Sequence, residues 1–243
     1  MRYIGGKNRI AKDIVPFIIS SNPEYVVEPF CGALNITMEI VRQCHDVTVL
    51  ASDIHDELID MWRAVQDGWM PPQNLSKEEY YELKSQTSSP LRTFAGYGCS
   101  FSGKWFGGYA SDTSGRNYCR NAFHSVMKRQ RYLKNIVFRY GSYDEQDIPS
   151  SSVVYCDPPY ASTTKPGTRD AFDHEKFWQW VRNLEVPCYV SEYEAPAGFE
   201  VSWTKPVKLD MKTTKADNKR IEKLFYNGAE VSYNENDLER MFI

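Results

Sequence analysis

The stretch that most constrains this chain is Val153-Val154-Tyr155-Cys156-Asp157-Pro158-Pro159-Tyr160, where an apolar, β-favouring run stops at a carboxylate and a pair of prolines. Such a run reads as a buried strand feeding a rigid loop. In an open α/β sheet, ligands occupy the crevice outside the carboxyl ends of the strands, so the pattern predicts that Asp157 faces that crevice and not the core. Pro158 and Pro159 fix φ and lack N–H groups. The loop therefore cannot coil into a helix, and its carbonyls stay free to accept hydrogen bonds. Tyr160 adds a flat ring suited to stacking on a planar heterocycle. Together these groups suit an exocyclic amine on a base. Asp157 would take one amine hydrogen and the Pro158 carbonyl the other, drawing the nitrogen lone pair out of conjugation and making that nitrogen a better nucleophile. The simpler alternative is a turn after a core strand.

The remaining pattern alternates strands and helices, the signature of an α/β sheet. Helical runs are predicted from Asn8 towards Ile19, from Asp56 to Gln66, from Arg116 to Asn135 and over 173–184. Strands are predicted from Tyr25, at Val47–Asp53, Ile136–Tyr140 and Cys188–Glu192, near Phe199–Trp203, and at Leu224–Tyr226. Glu28-Pro29-Phe30-Cys31-Gly32 makes a tight turn whose backbone N–H groups can meet a polar ligand. Asp53 ends the second strand about twenty residues further on, the spacing at which an acid reaches a nucleoside ribose. Gly32 is the only glycine of that turn, so a nucleoside ligand without a pyrophosphate fits better than a dinucleotide. Gly5-Gly6 lets backbone approach a ligand closely, with a plain terminal turn as the alternative.

From Gly68 to about Tyr118 periodicity fails, and aromatics alternate with glycine from Phe94 to Tyr109. A loop of that length is either functional or a subdomain. Its rings suit stacking on or wedging between bases, or a small satellite core. Charge is segregated although the net is only -3: Thr113–Tyr143 holds seven basic residues and no acidic one, and Lys205–Lys223 holds seven against three. Either run fits a phosphate-facing surface or a solvated helix face. Lys165 and Arg169 lie in a polar loop after Tyr160. The chain of 243 residues suffices for one domain with an insertion. It shows no membrane-crossing run and no signal peptide, and its six cysteines form no CxxC pair. Reduced core thiols and a cytoplasmic setting, in a bacterial or phage-infected host cell, are expected. Four scattered histidines give metal dependence little support.

Taken in order, Tyr3–Lys7, Glu28–Gly32, Ser52-Asp53-Ile54, Asp157–Tyr160 and Arg220–Phe225 resemble the motifs of the Dam-type DNA adenine-N6 methyltransferases, the α-group of amino-methyltransferases, many of them phage-encoded. The resemblance spans nearly the whole chain and is most specific at Asp157–Tyr160. It implies a Rossmann-like S-adenosylmethionine-dependent methyltransferase sheet, with residues 1–67 and 119–243 as the catalytic domain and 68–118 as an inserted target-recognition region. Tyr3, Lys7, Phe30, Cys31, Gly32, Asp53, Ile54, Tyr143 and Asp157 would border S-adenosylmethionine. Many relatives carry an acid where this chain has Ser142. Asp157, Pro158, Pro159 and Tyr160 would be catalytic, and Lys104, Trp105, Arg116, Arg120, Arg129 and Arg131 would contact double-stranded DNA. A role in DNA methylation, such as restriction-modification, follows from the resemblance. Cytosine-N4, RNA adenine and protein glutamine methylation use the same acceptor geometry. Pro187-Cys188 does not continue in the pattern of cytosine-C5 enzymes, and a catalytically silent module of the same fold is the remaining alternative.

Overall fold

A computed structural model describes residues 1–112, 115–161, 172–208 and 219–230. Lys165 and Arg169, and Lys212 and Lys215 of the second basic run, lie outside the described residues. The strands are β1 (Tyr25–Glu28), β2 (Thr48–Asp53), β3 (Ile136–Tyr140), β4 (Ser152–Cys156), β5 (Cys188–Glu192), β6 (Glu200–Lys208) and β7 (Lys219–Tyr226). They form one sheet in the order β3-β2-β1-β4-β5-β7-β6. Neighbours from β3 to β5 run parallel, and β7 runs antiparallel to both β5 and β6. This is the mixed, Rossmann-like α/β sheet that the alternation and the resemblance led us to expect.

Side-chain alternation divides the core between the two faces of the sheet. Val26, Val49, Val153 and Tyr155 pack on one face with α1 (Ala11–Ile18), α2 (Asn35–Gln43), α3 (Asp56–Gln66) and α6 (Tyr118–Gln130). Val27, Leu50, Val154 and Cys156 pack on the other with Phe177, Trp178 and Val181 of α7 (His174–Arg182). Both faces are covered, which explains why β4 reads as a continuous apolar run. Strand order reverses between β1 and β4, and a crevice opens at such a switch point beyond the carboxyl ends of the strands. The turns after β1, β2 and β4 therefore meet there.

Between α3 and α6 lie α4 (Lys77–Lys84), α5 (Pro90–Thr93), a π-helical turn at Phe94–Gly98 and a 3-10 turn at Phe101–Gly103. Ser76 caps α4 in a capping box with Glu79, and Ser89 caps α5. Phe94, Tyr97 and Phe106 join the same core cluster as α2, α3 and α6. Gly96 is required for this packing, since a Cβ there would sit 2.5 Å from the Trp105 ring. Most rings of this region thus turn inward and extend the main core, in place of the small satellite core expected; Phe101 does not, with 66% of it exposed beside Ser102 at φ 54°.

Among the described residues, no helix is long and apolar enough to cross a membrane. The six cysteines are free thiols.

Candidate active site

The turn after β1 is held by an acid from the next strand. Asp53 accepts from the backbone N–H of Gly32 through Oδ2 and of His55 through Oδ1, both at 3.0 Å. Cys31 N–H donates to the Ser52 carbonyl at 2.9 Å, and the Trp62 indole donates to the Gly32 carbonyl at 3.0 Å. Gly32 stands at φ 46°, and a Cβ on it would lie 2.8 Å from the Tyr3 ring. Only glycine meets both demands without strain. Burial pushes the Asp53 carboxyl pKa up, while the two N–H groups pull it back. Ile54 follows with 72% of its surface exposed, an apolar patch at the crevice rim.

Arg129 comes to this turn from behind. Its guanidinium donates to the Ala33 carbonyl at 3.1 Å, to Asn35 Oδ1 at 2.9 Å and to the Ser125 carbonyl at 2.8 Å. It is 9% exposed, so it does not lie on the basic face expected to contact DNA. Residues 119, 122, 126 and 129 share the buried side of α6, and Arg129 braces the glycine turn from that side. Arg116, Arg120 and Arg131 are exposed, Arg116 with Asp112 at 3.8 Å and Arg131 over the Tyr132 ring at 4.7 Å. Lys104 is exposed, but Trp105 is half-buried, with His55 and Tyr97 at ring separations of 4.6 and 4.8 Å. Tyr97 also meets Tyr3 at 4.9 Å. Tyr97 and Trp105 therefore join Tyr3 and His55 in an aromatic wall beside Asp53, and His55 and Tyr97 were not singled out from sequence.

Asp157 leaves the carboxyl end of β4 with 19% of its side chain exposed. Lys7 reaches it from the amino-terminal segment, Nζ to Oδ1 at 2.7 Å, and lies 4.5 Å from the centre of the Tyr160 ring. The Gly5-Gly6 turn makes this approach possible: Gly5 has φ 76°, and a Cβ on Gly6 would lie 2.6 Å from Asn35 Nδ2. Glu222 of β7 is 3.6 Å from Lys7 and accepts from the Tyr160 hydroxyl. Glu192, the last residue of β5, holds the loop after Tyr160 through Ala161 N–H at 3.1 Å and Tyr193 N–H at 2.7 Å. Tyr193 meets Tyr160 edge to face at 4.7 Å. Burial raises the Asp157 pKa to about 6, with Lys7 opposing and Glu222 adding. Burial works against the Lys7 charge, but Asp157 and Glu222 outweigh it and its pKa is raised. Glu28, beneath both acids, is pushed up to about 8 by burial, opposed by its hydrogen bond from Thr37 and reinforced by Asp157 and Asp53.

On the other side of the turn, Phe30 stacks on Tyr143 at 5.7 Å and 26°. Ser142 donates its hydroxyl to Asp144 Oδ1 at 2.5 Å, so a carboxylate stands two residues on. The structure thus brings together Tyr3, Lys7, the Phe30–Gly32 turn, Asp53, Asp157 and Tyr160, and adds Glu28, Glu192 and Glu222. An acid-rich floor beneath a bare glycine turn fits a cationic nucleoside such as S-adenosylmethionine. Among the described residues, no group of three or more His, Cys, Asp or Glu side chains is arranged to hold a metal.

Residues 3–95 match the D12 class N6 adenine-specific DNA methyltransferase family, a segment that holds Tyr3, Lys7, Gly32 and Asp53 and stops short of Asp157. No curated protein matches the chain. Among solved structures the chain is similar to the rRNA methyltransferase aviRa from Streptomyces viridochromogenes, at 12% identity and a TM-score of 0.42 over 90% of this chain and 84% of that one. It is also similar to a putative RNA methyltransferase from Pyrococcus horikoshii, at 9% identity and a TM-score of 0.46 over 90% and 83%. A third is the N-terminal domain of human METTL16 in complex with SAH, at 8% identity and a TM-score of 0.37 over 90% and 69%. The family match supports S-adenosylmethionine as the cofactor.

Proposed function

We propose that this chain is a site-specific DNA adenine-N6 methyltransferase, transferring a methyl group from S-adenosylmethionine to an adenine swung out of double-stranded DNA. The observation that carries the reading is Asp157-Pro158-Pro159-Tyr160 at the carboxyl end of β4, beside the β1/β4 switch point. The family match on residues 3–95 supports it from a separate part of the chain.

S-adenosylmethionine, when bound, supplies a methyl group on a positively charged sulfur. Phe30, Cys31 and Gly32 would pass backbone beside its methionine part, Tyr3 and Lys7 would border it, Asp53 would hold the ribose hydroxyls, and Ile54 and Tyr143 would flank the adenine. On the substrate side, ionised Asp157 and the Pro158 carbonyl accept the two hydrogens of the target amine. Pro159 keeps the loop rigid, and the Tyr160 ring stacks on the base. These contacts offset the few kcal/mol lost on unstacking it. The amine lone pair then takes the methyl carbon in line, and the nitrogen sheds one proton, for which Asp157 is the nearest acceptor.

Region 68–118 is the target-recognition element in this reading, with exposed Phe101 as a ring able to enter the base stack and with Lys104, Arg116, Arg120 and Arg131 on phosphates. DNA from cells expressing the chain, sequenced by a method that reports methylated adenines, should carry N6-methyladenine at one short recurring sequence. Labelled methyl transfer to purified RNA but not to DNA would overturn the DNA assignment.

A further inference from the structure

Lys7 fills a seat that the proposed reaction assigns to another group. Its ammonium donates to Asp157 Oδ1 at 2.7 Å and to the Gly5 carbonyl at 3.1 Å, and lies 4.5 Å from the Tyr160 ring centre. A carboxylate oxygen and the same aromatic face are what the target amine would use. The Lys7 side chain is 9% exposed and is delivered by a glycine turn packed against Asn35, where a Cβ on Gly6 would force the Asn35 amide to move. A second acceptor, Glu222 Oε1, waits 3.6 Å away.

We infer that Lys7 is a placeholder and positioning residue for the substrate amine: it holds Asp157 in register until the base arrives, then shifts to Glu222. The inference rests on the reading of Asp157 as the amine acceptor. An N–H donor replaces an N–H donor, so Asp157 is never left buried without a partner, a state that costs more than the hydrogen bond itself contributes. The shift to Glu222 keeps the ammonium paired as well. Entry of the base is then an exchange of partners within one acceptor cluster. Only an exocyclic NH2 donates to Asp157 and the Pro158 carbonyl together, so the exchange favours adenine and cytosine over thymine, whose exocyclic groups are carbonyls.

Among the described residues, the charged and titratable groups facing Asp157 are Lys7 from the amino-terminal segment, Glu28 from β1, Tyr155 and Tyr160 from β4 and its loop, Glu192 from β5 and Glu222 from β7. Lys7 is the cation among them and holds the Asp157 pKa down against burial and Glu222.

The test uses the full chain, unmethylated plasmid DNA and S-adenosylhomocysteine as the cofactor probe. In Lys7→Met, the KM for DNA should fall, because no ammonium competes for the seat. The acid limb of kcat/KM should move to higher pH by about half a unit or more, because Asp157 has lost its cation. Lys7 also borders the cofactor in the proposed function, so the Kd for S-adenosylhomocysteine should rise, but by less than about tenfold. A Kd raised about tenfold with the acid limb unmoved would overturn the inference and make Lys7 a cofactor ligand. If Lys7→Met does not fold, Glu222→Gln answers the same question: weaker reception of the ammonium should raise the KM for DNA, and an unchanged KM would count against the shift. Wild-type protein that methylates no DNA would defeat the proposed function itself, an outcome distinct from both.

Discussion

Asp53 and Asp157 stand at matching places, the last residue of β2 and the first beyond β4, yet they are held in opposite ways. Asp53 is fastened to backbone: both oxygens take N–H groups of the turns they support. Asp157 is paired with the end of a flexible side chain, Lys7. Backbone donors fix a carboxylate as part of the fold, whereas a lysine partner can be exchanged for a ligand. In the proposed function, the acid at β4 therefore works in a crevice that the acid at β2 helps to build.

The largest expected effect tests this division. Asp157→Ala should lower methyl transfer by about three orders of magnitude or more while thermal stability is kept. Asp53→Ala should instead lower stability by about 1–3 kcal/mol, measured by denaturant unfolding, because two buried N–H groups lose their acceptor. If Asp157→Ala cost more stability than Asp53→Ala, the comparison would fail.

Next in size is the contrast between two arginines of the α6 region. Arg129→Ala should destabilise the fold by about 2–4 kcal/mol, leaving the Ala33 and Ser125 carbonyls and Asn35 without their donor. Arg131→Ala should leave unfolding nearly unchanged and reduce the slope of log K against log salt for DNA by about one. Equal slopes in Arg131→Ala and wild type would remove that residue from the DNA surface.

The last contrast is one of pH and concerns Glu28, which interacts with both acids. Its folded pKa is raised from the ordinary carboxyl value to about 8. The stability it contributes is full below the unfolded pKa near 4.5 and is lost as pH rises through 8. Glu28→Gln keeps an acceptor for Thr37 and should flatten the loss of melting temperature between those pH values. An unchanged pH dependence would mean that Glu28 is already ionised.

Much of this was legible because strand ends are periodic features. The apolar run 153–156 followed by Asp-Pro-Pro had to leave the sheet at a carboxyl end, and Asp53 obeyed the same rule. Glu192 ends β5 in the same fashion and could have been found by it. Glu222 could not: its place depends on β7 entering between β5 and β6, a long-range pairing that no local pattern encodes. Arg129 sits seven residues after Ala122 and three after Val126, so helical spacing put it on the apolar stripe, and its charge hid that position. The 68–118 region resisted for another reason. Its glycines serve ring packing, as Gly96 does under Trp105, and leave no regular period.

The central claim is chemical, and nucleoside mass analysis of digested DNA tests it most directly. DNA from cells expressing the wild-type chain should contain N6-methyladenine, and DNA from cells expressing Asp157→Ala should not. N4-methylcytosine in place of N6-methyladenine, or equal N6-methyladenine from both proteins, would contradict the account.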